Sequence, residues 1–417
     1  MRVLLLGADG FIGRHLAYTL RGEGHHVLAC ARRTTRLDAM GFETLKVDLL
    51  ASQSADSSFW ARHLEGVTHV VNCAGLLNGP APAMKAVHET APAALYAALA
   101  GRPALLLSAV GIDTAETPFA VVRREGERIA RQNEVMVLRA GLVLGDTSWG
   151  GSSLGRAMAA MPFRIPVVGD GAQRVNPIHA NDLARQIIFL LENPEPAALT
   201  ETGGPETITQ ARMLQAYRAW FGLKKVPLLR MPLPLARAFG RLGDALRLGP
   251  ISATSVDQLV EGVQAKPDPA LPAARPFGAF LAERPAGTQD LWHARLFLLR
   301  PLIRLTLAVL WIISGLIGLL TPLQQMSEIE SATGLSHTLF AVLARGGGLV
   351  DLAIATALLR NWRPRTTALA QLIVVAAYTA GLTLLAPELW LLPFGGLLKN
   401  LPILCLILVS LALEDDR

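Results

Sequence analysis

Charge, cysteine and tyrosine are all scarce in this chain of 417 residues. Charged side chains make up 17% of it and apolar ones 51%, where soluble domains carry roughly 25% charge. Only three cysteines occur, Cys30, Cys73 and Cys405, with no metal-ligand spacing. That excludes a cysteine metal centre and leaves reduced, buried thiols, as expected on a cytosolic face. No basic run with interleaved aromatics exists, so the net charge of +6 is not a nucleic-acid footprint. The opening apolar run, residues 3–6, ends in glycines and is too short for a secretory leader. Tyrosine is limited to Tyr18, Tyr96, Tyr217 and Tyr378, a shortage that bears on catalysis below.

What is present begins at the first residues. Residues 2–6 read as a buried strand, followed by Gly7-Ala8-Asp9-Gly10-Phe11-Ile12-Gly13 and a helix over 14–23. A strand feeding a glycine turn aims the unpaired N–H groups of a helix N-terminus at an anion, and glycines let the backbone approach a pyrophosphate. A second strand, 26–31, ends in Arg32-Arg33. A carboxylate at that position would bind both ribose hydroxyls and select NAD(H). Arginines pair instead with a 2′-phosphate and favour NADP(H).

Further strands are expected at 45–47, ending in Asp48-Leu49; at 68–71, ending in Asn72-Cys73-Ala74-Gly75; at 104–107, ending in Ser108; and at 135–138. Asp48 is placed to reach an adenine amino group, and the small residues of the Asn72 turn leave room for a cofactor. With helices over 82–100 and 118–133 between them, the strands form an α/β doubly wound parallel sheet of Rossmann type. A His179-x-x-Asp182 pair before a helix over 183–191 reads as a cap and a packed polar anchor. A small lobe follows over about 195–262, and the basic, amphipathic 230–248 stretch is either a core helix of that lobe or a surface helix on an anionic membrane face.

From about residue 296 the chain becomes overwhelmingly apolar. Segments 301–320, 337–359, 366–385 and 389–413 each reach the ~20 residues that span a bilayer. Arg295 and Arg300 precede the first, Arg304 lies in its first turn, and Arg360, Arg363 and Arg365 fill the turn between the second and third. The 321–336 loop and the 386–388 turn lack Lys and Arg. This sorting predicts a multi-pass protein of the cytoplasmic (inner) membrane with both termini in the cytoplasm. Asp351 and Lys399 fall at similar depths, and the cost of isolated charges there predicts that they pair, with Arg345 as a competing partner.

The Gly7-x-x-Gly10-x-x-Gly13 turn, Asp48-Leu49, Asn72-Cys73-Ala74-Gly75, Val168-Gly169-Asp170-Gly171 and the 177–182 run together resemble the short-chain dehydrogenase/reductase superfamily. The resemblance is to its extended and atypical, epimerase/dehydratase-like branches and covers about 1–262. The tail, including the 393–402 stretch, is similar to the DoxX-like membrane family. The implied organisation is an NAD(P)-binding Rossmann domain with a small lobe over 1–262, a linker over 263–295, and an all-α four-helix membrane domain over 296–417. The implied cofactor set is Gly7, Asp9, Gly10, Phe11, Ile12, Gly13, Arg32, Arg33, Asp48, Leu49, Cys73, Ala74, Gly75, Ser108 and Arg123.

Redox members of that superfamily use a Tyr followed four residues later by a Lys. Here Phe119 and Arg123 stand at those positions. Phenylalanine has no proton to give, and arginine does not deprotonate. Ser108 remains as a polariser, Asp113 as an acid if burial raised its pKa, and Arg123 as a holder of a ribose hydroxyl or phosphate. Three functions stay open: a membrane-bound NADP(H)-dependent oxidoreductase acting on a lipid-soluble carbonyl or quinone; a non-catalytic nucleotide-binding module that stabilises or regulates a respiratory-type membrane assembly and its protein partner; and a transporter gated by the nucleotide domain.

Overall fold

Alternation along Arg2–Leu6 (β1) buries both faces of that strand. Val3 and Leu5 join one apolar layer with Leu16, Leu20, Leu183 and Ile187, while Leu4 and Leu6 join the other with Trp60, Leu95 and Ala130. A strand sealed on both faces belongs in the middle of a helix-covered parallel sheet. In the computed structural model, which describes residues 1–391 and 393–414, that is its place. Residues 392 and 415–417, the first inside the fourth expected span, lie outside the described residues, as do the side chains of Glu261, Glu328, Ile329, Pro393 and Phe394.

The sheet has seven strands: β1, His26–Ala31 (β2), Glu43–Lys46 (β3), His69–Asn72 (β4), Ala104–Ala109 (β5), Met136–Ala140 (β6) and Leu199–Thr202 (β7). Their order is β7-β6-β5-β4-β1-β2-β3, all parallel. The sequence reading missed β7, a Leu-Thr-Glu-Thr run with little apolar signal. Phe11–Gly22 (α1), Pro118–Gln132 (α2) and Ala180–Glu192 (α3) flank the sheet. Thr117 starts α2 by accepting the Ala120 N–H at 3.2 Å, with Pro118 in the first turn. The helix expected over 82–100 is interrupted: Ala81–Lys85 and Ala91–Ala97 are α-helical, and Ala86–Thr90 between them is a π-helical turn.

Residues Met1–Gly240 with Ala253–Leu291 form one compact unit, and Arg241–Ser252 with the described residues from Trp292 onward form a second. Residues 263–291, expected within a linker, are therefore built into the first unit. Asn176 clamps Ala265 through its N–H (2.9 Å) and carbonyl (3.0 Å), and Arg275 grips Asp182 at 3.0 Å. The 230–248 stretch divides into a strand, Leu228–Met231, and a helix, Leu233–Ala245 (α4).

The second unit holds four helices or helical stretches long and apolar enough to cross a membrane among the described residues. They are Thr288–Leu320 (α5), His337–Leu359 (α6), Pro364–Leu385 (α7) and a stretch ending in Asn400–Leu413 (α8). The fourth is not one continuous α-helix. Pro387–Leu391 and Pro393–Lys399 are 3-10 turns, and α8 alone has 14 residues, about 21 Å of helix against a ~30 Å hydrocarbon core. Leu307, Ala308 and Trp311 of α5 pack on Ile354, Ala355 and Leu358 of α6, Ala368 and Val375 of α7, and Ile407 of α8. Ile317, Val342, Leu349, Ile373 and Leu384 face outward, as a lipid-facing exterior requires.

The expected Asp351–Lys399 pair is absent. Ser314 donates to the Asp351 carboxylate at 2.6 Å and Tyr378 at 3.3 Å, and Lys399 is exposed. Arg345 caps the end of α5 by donating to the carbonyls of Gly318 (2.7 Å) and Thr321 (2.9 Å). The depth argument assumed a straight fourth helix, and the 3-10 turns remove that premise.

Candidate dinucleotide site

Strand register sets the functional loops side by side. Leu6 pairs with Cys30 on one side and Asn72 on the other, so Gly7, Ala31 and Cys73 follow at one sheet edge. Strand order reverses between β1 and β4, and the crevice at such a switch point is where open α/β sheets take ligands.

Gly7 has φ +74°, and a Cβ on it would lie 2.8 Å from the Ala74 nitrogen. A Cβ on Gly13 would lie 2.2 Å from the Gly7 carbonyl oxygen. Gly10 caps α1 with no side-chain bond, so the first N–H groups of the helix, on Phe11, Ile12 and Gly13, have no capping side chain. A notch walled by backbone, floored by helical N–H groups and closed to any Cβ fits a pyrophosphate.

Arg32 and Arg33 are exposed just beyond β2, and among the described residues no carboxylate pairs with either. Arg36, in the short helix Thr35–Ala39, lies 3.7 Å from Asp9 of the glycine turn. The sequence reading missed Arg36, which is placed by the short helix after β2 rather than by the strand end. Asp48 is exposed and accepts the Leu50 N–H at 3.0 Å, while Leu49 packs on the second core layer. Asn72 fixes the next turn by accepting the Ala74 N–H (3.0 Å) and donating to the Tyr96 hydroxyl (2.9 Å). Cys73 and Ala74 are half-buried there and Gly75 is exposed.

At the other end of the crevice, Ser108 is 5% exposed at the end of β5, and its hydroxyl has no hydrogen-bond partner. Arg123 is buried beneath it. Its guanidinium donates to the carbonyls of Leu107 and Ala74 (3.5 Å) and to Nδ1 of His88 at 3.2 Å. It thus ties the ends of β4 and β5 to the π-helical turn, while its Nε has no hydrogen-bond partner among the described residues. His88 was not found from sequence. It sits on that turn with its ring edge-on to Phe119, centroids 5.6 Å apart.

Burial, and then the Arg123 charge, push the His88 imidazole down to about 4. The unfolded chain titrates this group near 6.5, so between pH 6.5 and 4 it binds the proton that the folded state refuses. Stability contributed by neutral His88 is therefore complete above 6.5 and falls as pH drops to 4, by roughly 3 kcal/mol. Thermal unfolding in detergent across that range should show a shallower pH slope in His88→Gln than in the wild type; parallel slopes would assign the titration elsewhere.

Asp113 does not meet the condition set for it as an acid. Its side chain is exposed, and Arg139 binds it at 2.6 and 2.8 Å. Those bonds hold the carboxyl below its ordinary range, so it stays ionised. Arg139 also donates to Glu127 at 2.7 Å, and with Arg124, Arg128 and Arg131 this network lines a cavity of about 440 Å³. His179 and Asp182 form a cap and anchor: His179 Nδ1 accepts the Asn181 N–H at 3.2 Å, and Arg275 holds both side chains at 3.0 Å.

Residues 3–99 match the family described as NAD dependent epimerase/dehydratase, and residues 308–408 match the DoxX-like family. The epimerase family protein SDR39U1 homolog, chloroplastic, of Arabidopsis thaliana is 27% identical over 254 residues, 52% of this chain and 69% of that protein. A Dichelobacter nodosus protein named "Probable NADP-dependent dehydrogenase in aabA 3'region" is 34% identical over 91 residues, 20% of this chain and 86% of its own. Among solved structures, UDP-glucuronic acid 4-epimerase from Bacillus cereus, in complex with UDP-glucuronic acid and NAD, aligns with a TM-score of 0.50 at 15% identity. The match covers 71% of this chain and 98% of that one. This last likeness concerns the fold.

Proposed function

Because this chain belongs to the NAD-dependent epimerase/dehydratase family and joins that domain to a DoxX-like membrane domain, we propose that it is a membrane-anchored NADP(H)-binding oxidoreductase with a quinone-type acceptor. The observation that carries the reading is the glycine notch at the uncapped start of α1, with Arg32, Arg33 and Arg36 following β2. Gly7, Gly10 and Gly13 would admit the pyrophosphate, the arginines the 2′-phosphate, and Asp48 the adenine. The name of the Dichelobacter nodosus relative supports NADP(H) over NAD(H). Arginine sorting around the spans supports a cytoplasmic placement of both termini and of this domain.

The acceptor follows from what the site cannot do. Phe119 has no hydroxyl, Asp113 is held ionised by Arg139, and burial pushes the Tyr96 hydroxyl up to about 12. Carbonyl reduction leaves a strongly basic alkoxide that needs an acid within reach. Quinone reduction leaves a far weaker base that water protonates. When bound, the reduced dinucleotide supplies a hydride, two electrons and one proton, and the second proton comes from water. Ser108 would orient the acceptor oxygen, and Arg123 would hold the floor beneath it.

Full-length protein in detergent should oxidise NADPH when a soluble quinone is added and leave it unchanged with aldehydes. Tight NADPH binding without oxidation would replace this reading with the non-catalytic one, a nucleotide-binding module serving a membrane assembly. The donors that Arg123 spends on protein carbonyls are the observation favouring that second reading.

A further inference from the structure

Helix α4 presents an apolar stripe that the described residues leave half exposed. Leu235, Phe239 and Leu242 recur at i, i+4 and i+7 and are 48%, 49% and 53% exposed. The opposite face is narrow: Ala236, Gly240 and Gly243 are buried, and a Cβ on Gly243 would lie 1.9 Å from the Ile251 carbonyl oxygen. A surface helix of a water-soluble lobe would place its large apolar residues on that inner face. This one places its small residues inside and its large ones outside.

The chain immediately after this stripe is tied to the ends of the membrane helices. Arg304 of α5 donates to the Leu246 carbonyl, and Arg247 donates to the carbonyl of Arg360, directly after α6, at 3.1 Å. Residues 241–252 therefore belong to the membrane unit, at the end where Arg300, Arg304, Arg360, Arg363 and Arg365 gather. Exposed basic residues flank the stripe as well: Arg230 before it, Arg241 within it and Arg247 beyond it.

We propose that α4 lies in the plane of the bilayer surface on that arginine-rich side, with Leu235, Phe239 and Leu242 dipping into the acyl boundary and Arg241 and Arg247 meeting anionic headgroups. An apolar face bordered by arginines, tethered at the level where the spans end, fits an anionic lipid surface. A second protein would have to cover the stripe at the depth of the headgroups. The inference uses no residue of the glycine notch or of the arginines after β2, so it stands or falls independently of dinucleotide binding and turnover.

The test uses the full chain, with Cys30, Cys73 and Cys405 replaced by alanine, reconstituted into vesicles of phosphatidylcholine with or without phosphatidylglycerol. Single variants Leu235→Cys, Phe239→Cys, Leu242→Cys and, as a water-facing control, Glu206→Cys carry the environment-sensitive fluorophore NBD. The three helix positions should lose most of their fluorescence to doxyl-labelled phospholipid and resist aqueous iodide. Glu206→Cys should behave in the opposite way. The lipid quenching should be stronger with phosphatidylglycerol, and Arg241→Glu with Arg247→Glu should remove that difference. Iodide quenching at all three helix positions would overturn the proposal. Shielding from both quenchers, which marks a protein cover, would overturn it equally, and indifference to lipid charge would overturn the role given to the arginines.

Discussion

Gly13→Ala is expected to cost on the order of 100-fold in dinucleotide affinity while the chain still folds. The added methyl would sit 2.2 Å from the Gly7 carbonyl oxygen and 2.9 Å from the Ala8 Cα. Both are backbone atoms, so relief requires the turn and the start of α1 to separate by about 1 Å, and misplacement on that scale costs on the order of 100-fold at a preorganised site. Overpacking of this kind destabilises by about 1–3 kcal/mol, which leaves a folded protein to titrate. Gly22→Ala on the same helix is the matched control. Nothing lies within 4 Å of its Cβ position, so it should bind as the wild type does. Equal affinities for Gly13→Ala and Gly22→Ala, read by nicotinamide fluorescence, would show that the turn is not the cradle.

The second large effect is on stability. Arg139 bridges Glu127 and Asp113, and Glu127 is only 5% exposed. Arg139→Leu would leave the Glu127 carboxylate buried with its main partner gone, a loss of about 3–5 kcal/mol. Melting of the detergent-solubilised protein should fall by roughly 6–20 °C, at about 2–4 °C per kcal/mol for a domain of this size. The double variant Arg139→Leu with Glu127→Leu should recover most of the loss, because an apolar pair of similar volume replaces a buried ion pair at little net cost. A double variant as unstable as the single one would mean that the charge pair is not what Arg139 supplies.

Both effects hang on residues of unequal visibility in the sequence. The glycine turn was legible because its constraint is local: spacing, strand and helix lie within a few residues. β1 was legible for the same reason, since an apolar run bounded by glycines reads as a two-face-buried strand. The arginines after β2 were legible as a position in an ordered series of strand ends. What the sequence hid depends on distant partners. The sequence places Arg123 as a holder of ribose or phosphate, and only the fold shows its further bonds to Ala74, Leu107 and His88, up to 49 residues away. His88 was invisible because a π-helical turn, which has no propensity signature, aims it.

The 263–295 stretch is expected as a linker between the two implied domains. Its order comes instead from Asn176 and Asp182, which bond to residues 89 and 93 positions away. In the membrane domain, helix length and charge sorting were readable, but the prolines and glycines of the fourth segment broke it into 3-10 turns. That displaced Lys399 from the depth at which Asp351 was expected to meet it.

The claim at the centre of this account is that the notch and its arginines form an NADP(H) site. Titration of the full-length, detergent-solubilised protein with NADPH and NADH tests it most directly. NADPH should bind about 10–100-fold more tightly, the value of charge-assisted bonds to one phosphate group, and Arg32→Asp with Arg33→Asp should erase that preference. Binding of neither dinucleotide, or equal binding of both by the wild-type chain, would contradict it.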